Sequence, residues 1–157
     1  MLALVVTAAV VLVLYKYLQP SLSIESLIDS AKRSGSLNGI EKVLASHDQK
    51  ERLKAVQALH VLQTDEAIRL LERATEDNTI LVRLVIVQGL QDLPEQKALP
   101  LISRLLDDRE FGIVRDAISA LEKHTETKYN FHFEATREEK AAIIAQCKRD
   151  ISERLKQ

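Results

Sequence analysis

The chain has 157 residues, which is the length of one domain with room for a short appended segment. Its 22 basic and 23 acidic side chains nearly cancel, so no overall field attracts nucleic acid, and we expect no nucleic-acid partner. The single cysteine, Cys147, excludes an intramolecular disulfide framework. Few glycines and prolines, together with many Leu, Ala, Glu and Lys residues, favour helix almost throughout.

The N-terminal stretch MLALVVTAAVVLVLYKYL carries no charge before Lys16. With Lys16 snorkelling and the flanking tyrosines at the interface, the stretch is long enough to cross most of a hydrocarbon core of about 30 Å. A cleaved signal peptide normally begins with basic side chains, and a buried soluble helix is rarely apolar on every face. We therefore predict an uncleaved transmembrane anchor over residues 1–19, with membrane contact through residues 1–18. Lys16, Lys32 and Arg33 all follow the span, which predicts a single-pass protein with its folded part on the cytoplasmic side.

Residues 20–33 are predicted to form a linker and an N-terminal capping helix. Pro20 ends the preceding helix, because the residue before a proline is pushed out of α geometry. The apolar residues Ile24, Leu27 and Ile28 then fall on one helical face.

A unit of two helices recurs at a spacing of 31 residues, as positions 58, 89 and 120 show. Residues 64–93 contain a capped amphipathic helix, a polar turn and a more apolar second helix. Such a hairpin cannot bury its apolar face alone, so copies must stack into a solenoid. Small residues are expected where stacked helices approach closely, with leucine beside them. The equivalent pairs are Ala58-Leu59, Gly89-Leu90 and Ala120-Leu121, and they predict three repeats over residues 34–63, 64–93 and 94–125.

The segments ALPLISRLLDD, LVRLVIVQGL and IVRDAISAL resemble HEAT repeats, in their short bacterial-type HEAT-like form. The resemblance covers residues 34–125. It implies an all-α fold: an α-solenoid of helical hairpins, here preceded by the single transmembrane helix. Motifs of this kind identify a fold better than a function.

The resemblance also implies a polar ladder between repeats. In that family, an acidic residue after the first helix is followed about six positions later by a basic residue in the second helix, which implies a structural role. The matching pairs are Asp48 with Lys54, Asp77 with Arg83 and, one residue further apart, Asp108 with Arg115.

Residues 126–157 depart from the repeat pattern and are predicted to form an aromatic loop and a C-terminal capping helix. The loop contains Tyr129, Phe131 and Phe133 in a chain that is otherwise poor in aromatics. It is either an apolar flap that seals the last repeat or a docking loop, since exposed aromatic side chains are common binding hot spots. Thr136 and Glu139 then have the spacing of a capping box.

No motif for catalysis or metal binding occurs in the sequence: HExxH, CxxC and a nucleophile elbow are all absent. Cys147 lies on an apolar stripe that is typical of a core residue. We therefore predict a protein that is not an enzyme and holds no cofactor. Arg104 and Arg109, in the last repeat, join Tyr129, Phe131 and Phe133 as candidate partner-binding residues.

The leading hypothesis is a membrane-anchored protein–protein interaction scaffold that serves as an adaptor or accessory subunit of a membrane protein complex. Its expected partners are proteins embedded in the membrane or associated with it. One alternative is a chromophore- or cofactor-handling protein, lyase- or chaperone-like, as some HEAT-like repeat proteins are, although such proteins usually have a longer array. Another is a structural subunit whose apolar segment packs against other transmembrane helices.

Overall fold

The structure is a computed structural model that describes residues 23–156, and these residues form α-helices with one short 3-10 helix and no strand. The predicted all-α fold is confirmed over this range. The α-helices are α1 (Ile24–Ser34), α2 (Asn38–Leu44), α3 (Gln49–Leu62), α4 (Asp65–Ala74), α5 (Ile80–Gly89), α6 (Glu95–Leu105), α7 (Phe111–Thr125) and α8 (Arg137–Arg154), and the 3-10 helix is Leu90–Asp92.

The helices alternate between two layers. In one layer α1, α3, α5 and α7 contact each other in succession, and in the other α4, α6 and α8 do the same, with α2 beside α1 and α3. Consecutive helices α2–α3, α4–α5 and α6–α7 therefore form stacked hairpins, which is the architecture of an α-solenoid. The flanking helices lie at the ends of the stack, α1 against α3 and α8 against α6.

Four of the eight described α-helices begin where a side chain accepts a backbone N–H of the first turn. The predicted capping box at α8 is confirmed, since Thr136 accepts from the Glu139 backbone and Glu139 accepts from the Thr136 backbone. In contrast, α5 and α7 begin at Thr79 and Glu110 without a side-chain cap. The side chains that cap are Ser23, Asp48, Thr64 and Thr136.

Equivalent positions of the repeats supply the core between the two layers. Leu59, Leu90 and Leu121 are each fully buried at the same position of successive hairpins. Each such side chain contributes about 1.5–3 kcal/mol through its removal from water. The first helices complete this core with Ile40, Leu71 and Ile102.

The joint between α3 and α5 depends on a glycine. The imidazole of His60 lies against Gly89, and a Cβ atom at position 89 would come far inside van der Waals contact with the ring. Both ring nitrogens of His60 are buried, and neither has a hydrogen-bond partner among the residues that the structure describes. The small residue predicted at this position therefore makes room for a ring from the neighbouring repeat.

Between residues 23 and 156, no helix is both long and apolar enough to cross a membrane. The predicted anchor, residues 1–19, lies outside the described residues.

Substitution Gly89→Ala is expected to lower the free energy of unfolding by about 1–3 kcal/mol, because the added methyl group must displace the His60 ring. Urea denaturation followed by circular dichroism measures this. Gly112→Ala in α7 is the control, since nothing lies within 4 Å of a Cβ there and no loss is expected. The pair His60→Ala with Gly89→Ala should cost less than the sum of the single changes. Equal stability of Gly89→Ala and Gly112→Ala would show that the His60 ring and Gly89 are not in contact.

The stability of the stack is expected to fall as the pH drops below about 6.5, the ordinary value for an unfolded histidine. Burial lowers the pKa of His60, and the Ile86 backbone and Asp92, which favour protonation, offset this only in part. The folded state therefore favours the neutral ring. The free energy of unfolding is highest above the pKa that His60 has in the unfolded chain, and it decreases as the pH falls towards the lower pKa of the folded state.

Urea midpoints measured between neutral and mildly acidic pH test this. His60→Ala should flatten the decline in that window whatever it does to absolute stability. His132→Gln, at a largely exposed ring, should leave the decline unchanged. A decline of the same steepness in His60→Ala would assign it to other groups.

Candidate partner-binding surface

The aromatic loop places its tyrosine inside the protein. Tyr129 is only 8% exposed, its hydroxyl donates to Asp150 Oδ2 at 2.7 Å, and its backbone N–H donates to Glu122 Oε1 at 2.8 Å. Burial, followed by the contact with Asp150, raises the pKa of Tyr129 above its ordinary value. Tyr129, predicted as a partner-binding residue, is thus buried: its hydroxyl ties the loop to α8 and its backbone N–H ties the loop to α7.

All three phenylalanines of the chain meet at one place on the surface. Phe111, the first residue of α7, stacks on Phe131 with ring centroids 5.3 Å apart and planes at 19°. Phe133 meets Phe111 edge-on at 5.6 Å and is 74% exposed. Lys140 of α8 lies over both rings, with Nζ 5.0 Å from the centroid of Phe111 and 5.4 Å from that of Phe133. We call Phe111, Phe131 and Phe133 the phenylalanine cluster.

Two exposed apolar residues lie at the start of the neighbouring second helix. Ile80 begins α5 as Phe111 begins α7, at the same repeat position. The turns before these two residues touch, because Arg109 Nη2 donates to the carbonyl of Asn78 at 3.0 Å. Ile80 and Leu81 are 46% and 47% exposed. We call Ile80, Leu81 and the phenylalanine cluster together the apolar ridge.

The two candidate arginines have different surroundings. Arg104 is half exposed and lies 3.7 Å from Glu72 and 3.6 Å from Glu76, so its charge is balanced locally. Arg109 is exposed beside the apolar ridge, and it pairs with no carboxylate among residues 23–156. Of the two, Arg109 leaves more charge available to a partner.

Two arginine–aspartate pairs connect successive hairpins. Arg83 Nε donates to Asp108 Oδ2 at 2.6 Å and Nη2 to Oδ1 at 3.1 Å. Arg52 makes the same bidentate contact with Asp77, at 2.7 and 3.1 Å. Each aspartate also accepts the backbone N–H two residues ahead of it, at Thr79 and at Glu110. The arginine of one hairpin thereby holds the turn of the next.

Three of the predicted ladder residues lie elsewhere. Asp48 caps α3 through the Lys50 backbone, Lys54 pairs with Glu51 at 2.9 Å, and Arg115 pairs with Asp116 at 2.7 Å. The ladder joins a basic residue to the acidic residue of the following hairpin, not to the one six positions before it. In that register Ser46 replaces the aspartate of the first hairpin, and Val114 replaces the arginine of the last, so neither can extend the ladder.

The Arg83–Asp108 pair is the more buried of the two pairs, with both side chains 4% exposed. Burial alone would raise the pKa of Asp77 in the other pair, but the Arg52 and Thr79 hydrogen bonds outweigh it and hold that pKa below its usual range. The Arg52–Asp77 pair therefore persists at neutral pH, and both pairs act as structural joints between hairpins.

Within residues 23–156, no group of three or more histidine, cysteine or acidic side chains could hold a metal ion. Burial raises the pKa of the Cys147 thiol to about 12, so the thiol stays protonated at neutral pH. A buried, protonated thiol is inert as a nucleophile, in agreement with the prediction of a core residue.

Comparison with known proteins gives one match. A family model of HEAT repeats matches residues 37–122, more than half of the chain. No curated protein and no solved structure matches this chain. HEAT repeats commonly mediate protein–protein interaction.

Removing the carboxylate with Asp108→Ala is expected to destabilise the fold by about 3–5 kcal/mol, because the buried Arg83 charge loses its counter-ion. Thermal and urea denaturation measure this. The neighbouring substitution Asp107→Ala is a matched control, since Asp107 is 67% exposed in its pair with Lys148 and should contribute at most about 1 kcal/mol. If the two variants lost the same amount, the buried ladder would have no special role in stability.

Proposed function

This chain belongs to the HEAT-repeat family, and from that premise we propose that it is a membrane-anchored scaffold for protein–protein interaction, either an adaptor or an accessory subunit of a membrane protein complex. The exposed phenylalanine cluster is the observation on which this proposal rests. A chain with only three phenylalanines places all of them at one surface, and there the most exposed ring is held by its neighbours. Exposed aromatic side chains of this kind are typical anchors of protein interfaces.

The stack supplies a rigid base for such a surface. The Arg52–Asp77 and Arg83–Asp108 pairs connect the three hairpins, and the leucines at positions 59, 90 and 121 fill the space between the layers. A partner that docks on a rigid base loses little of its binding energy to ordering the base.

The apolar sequence of residues 1–18 supports the membrane part of the proposal. Lys16, Lys32 and Arg33 on its C-terminal side favour a cytoplasmic position for the folded part. Confinement to a membrane raises the effective concentration of the scaffold towards membrane partners, so even a modest interface suffices.

An alkaline wash of membranes tests the anchor. The full chain should stay in the membrane pellet, and the double change Val10→Arg with Val11→Arg should release it, because each arginine at the centre of a span costs about 2.5–3.5 kcal/mol on insertion scales. Val61→Arg, at an exposed valine of α3, is the matched control and should stay in the pellet. Release of the unaltered chain would contradict the anchor.

Affinity purification of the full chain in mild detergent, followed by mass spectrometry, tests the scaffold role. We expect one or a few membrane proteins at near-equal amounts, and their loss when Phe133 is changed to Ser. Visible absorbance of the same preparation tests the alternative function. A bound pigment without a protein partner would favour a chromophore- or cofactor-handling protein.

A further inference from the structure

We infer that the apolar ridge binds a short acidic segment of a partner protein, one in which apolar side chains alternate with carboxylates. The inference rests on the proposed scaffold function and assigns it a place and a partner chemistry. The ridge is formed by Ile80, Leu81, Phe111, Phe131 and Phe133.

The apolar part of the ridge is prearranged. Phe131 stacks on Phe111, and Phe133 packs against the edge of the same ring, so the rings hold one another in the unbound protein. The backbone carbonyl of Phe133 is also held, since it accepts from Lys140 Nζ at 2.6 Å. Because these side chains need little ordering, burying them under a partner brings most of the hydrophobic gain to the complex.

The size of the ridge favours a short segment. Its two halves begin two adjacent helices of one layer, α5 and α7, and stacked helices lie about 10 Å apart. An extended chain rises about 3.3 Å per residue, so about four to six residues span the ridge. Side chains on alternate positions of such a segment would point to the ridge, and those between would point to its rim.

Two cations at the rim have no carboxylate partner among the described residues. Lys140 Nζ lies over two rings of the phenylalanine cluster, and Arg109 is held by the carbonyl of Asn78. Neither cation pairs with a carboxylate in the part of the chain that the structure describes. Most other arginines of the stack do have such a partner, among them Arg52, Arg73, Arg83, Arg104, Arg115 and Arg154.

Two carboxylates also lie near the ridge, but neither pairs with Lys140 or Arg109 among the described residues. Glu134 lies 3.5 Å from His132, and the charge of Glu110 contributes to raising the pKa of Arg83. A carboxylate-bearing segment therefore complements the rim, and a basic one does not.

The substitution Phe133→Trp places a fluorescent reporter on the apolar ridge, because the natural chain has no tryptophan. A random-peptide phage library is selected on the full chain in mild detergent and depleted on the Phe133→Ser variant. We expect the retained peptides to be rich in Asp and Glu alternating with Leu and Phe. One retained peptide, and a twin with lysine in place of every acidic residue, are then titrated against the reporter.

Binding of the acidic peptide should shift the tryptophan emission to shorter wavelength, and the lysine twin should bind at least about ten-fold more weakly. Phe133→Ser should weaken the acidic peptide about ten-fold or more, and Arg109→Gln and Lys140→Gln about three-fold each at low salt. Val61→Ser is the matched control, since Val61 is 61% exposed near the far end of α3, and it should change nothing. Equal binding of the lysine twin, or a library without binders that depend on Phe133, would overturn the inference.

Other occupants of the ridge give distinct results. A dimer in sedimentation velocity that Phe133→Ser disrupts would assign the ridge to a second copy of this chain. Quenching of the introduced tryptophan by brominated lipids in vesicles would assign it to the membrane surface. A fall in melting temperature on Phe133→Ser would show that the ring seals the stack instead of docking a partner.

Failure of the inference and failure of the proposed function are distinguishable. If proteins co-purify with the full chain and Phe133→Ser does not affect them, the chain remains a scaffold but the ridge is not its docking site. If nothing co-purifies while the acidic peptide binds as expected, the ridge chemistry stands and the scaffold role in a membrane complex does not.

Discussion

The contact of one hairpin with the next is the constraint on which the rest of this structure depends. Arg83 carries its charge into the space between hairpins, where the Asp108 carboxylate pairs with it. The aspartate that does so also holds the turn that leads into the next second helix. One ion pair therefore sets the offset between neighbours and the conformation of the connecting chain at the same time.

The same offset creates the surface to which we assign function. Because successive hairpins repeat at a constant spacing, the turns that end in Asn78 and Arg109 come together, and the first residues of α5 and α7 become neighbours. In the first repeat this position is Gln49, whereas in the next two it is Ile80 and Phe111. The surface thus changes from polar to aromatic along the stack, and the loop after α7 adds its two rings at the aromatic end.

Periodicity was sufficient to predict the helices and their pairing, because positions 31 residues apart occupy equivalent places in the core. It was not sufficient for the ladder. A spacing of six residues within one hairpin does not reveal that each arginine reaches forward to the aspartate 25 residues on. Once the direction of the contact is known, the sequence also shows where the ladder ends. Ser46 stands where the later hairpins have an aspartate, and Val114 stands where the earlier ones have an arginine.

The surface was predicted only in part. Phe131, Phe133 and Tyr129 were predicted together from their concentration in one loop, but Tyr129 is buried through a bond to Asp150, 21 residues away in the sequence. Phe111 was not predicted. The sequence does contain a signal for it, because Ile80 and Phe111 are apolar residues at the same repeat position, where a second helix begins. Which rings meet is decided by the path of the loop, and spacing along the chain does not describe that path.

The close contact of His60 with Gly89 restricts which hairpin can follow the first one, and it does so where the arginine–aspartate pair does not. If the middle repeat were excised by removing residues 64–94, Arg52 would face Asp108 in the same register in which it now faces Asp77. His60, however, would then face Ala120, whose Cβ occupies the space that the ring needs. The ion pair alone would therefore tolerate the loss of the middle hairpin, whereas the steric fit of His60 against Gly89 would not.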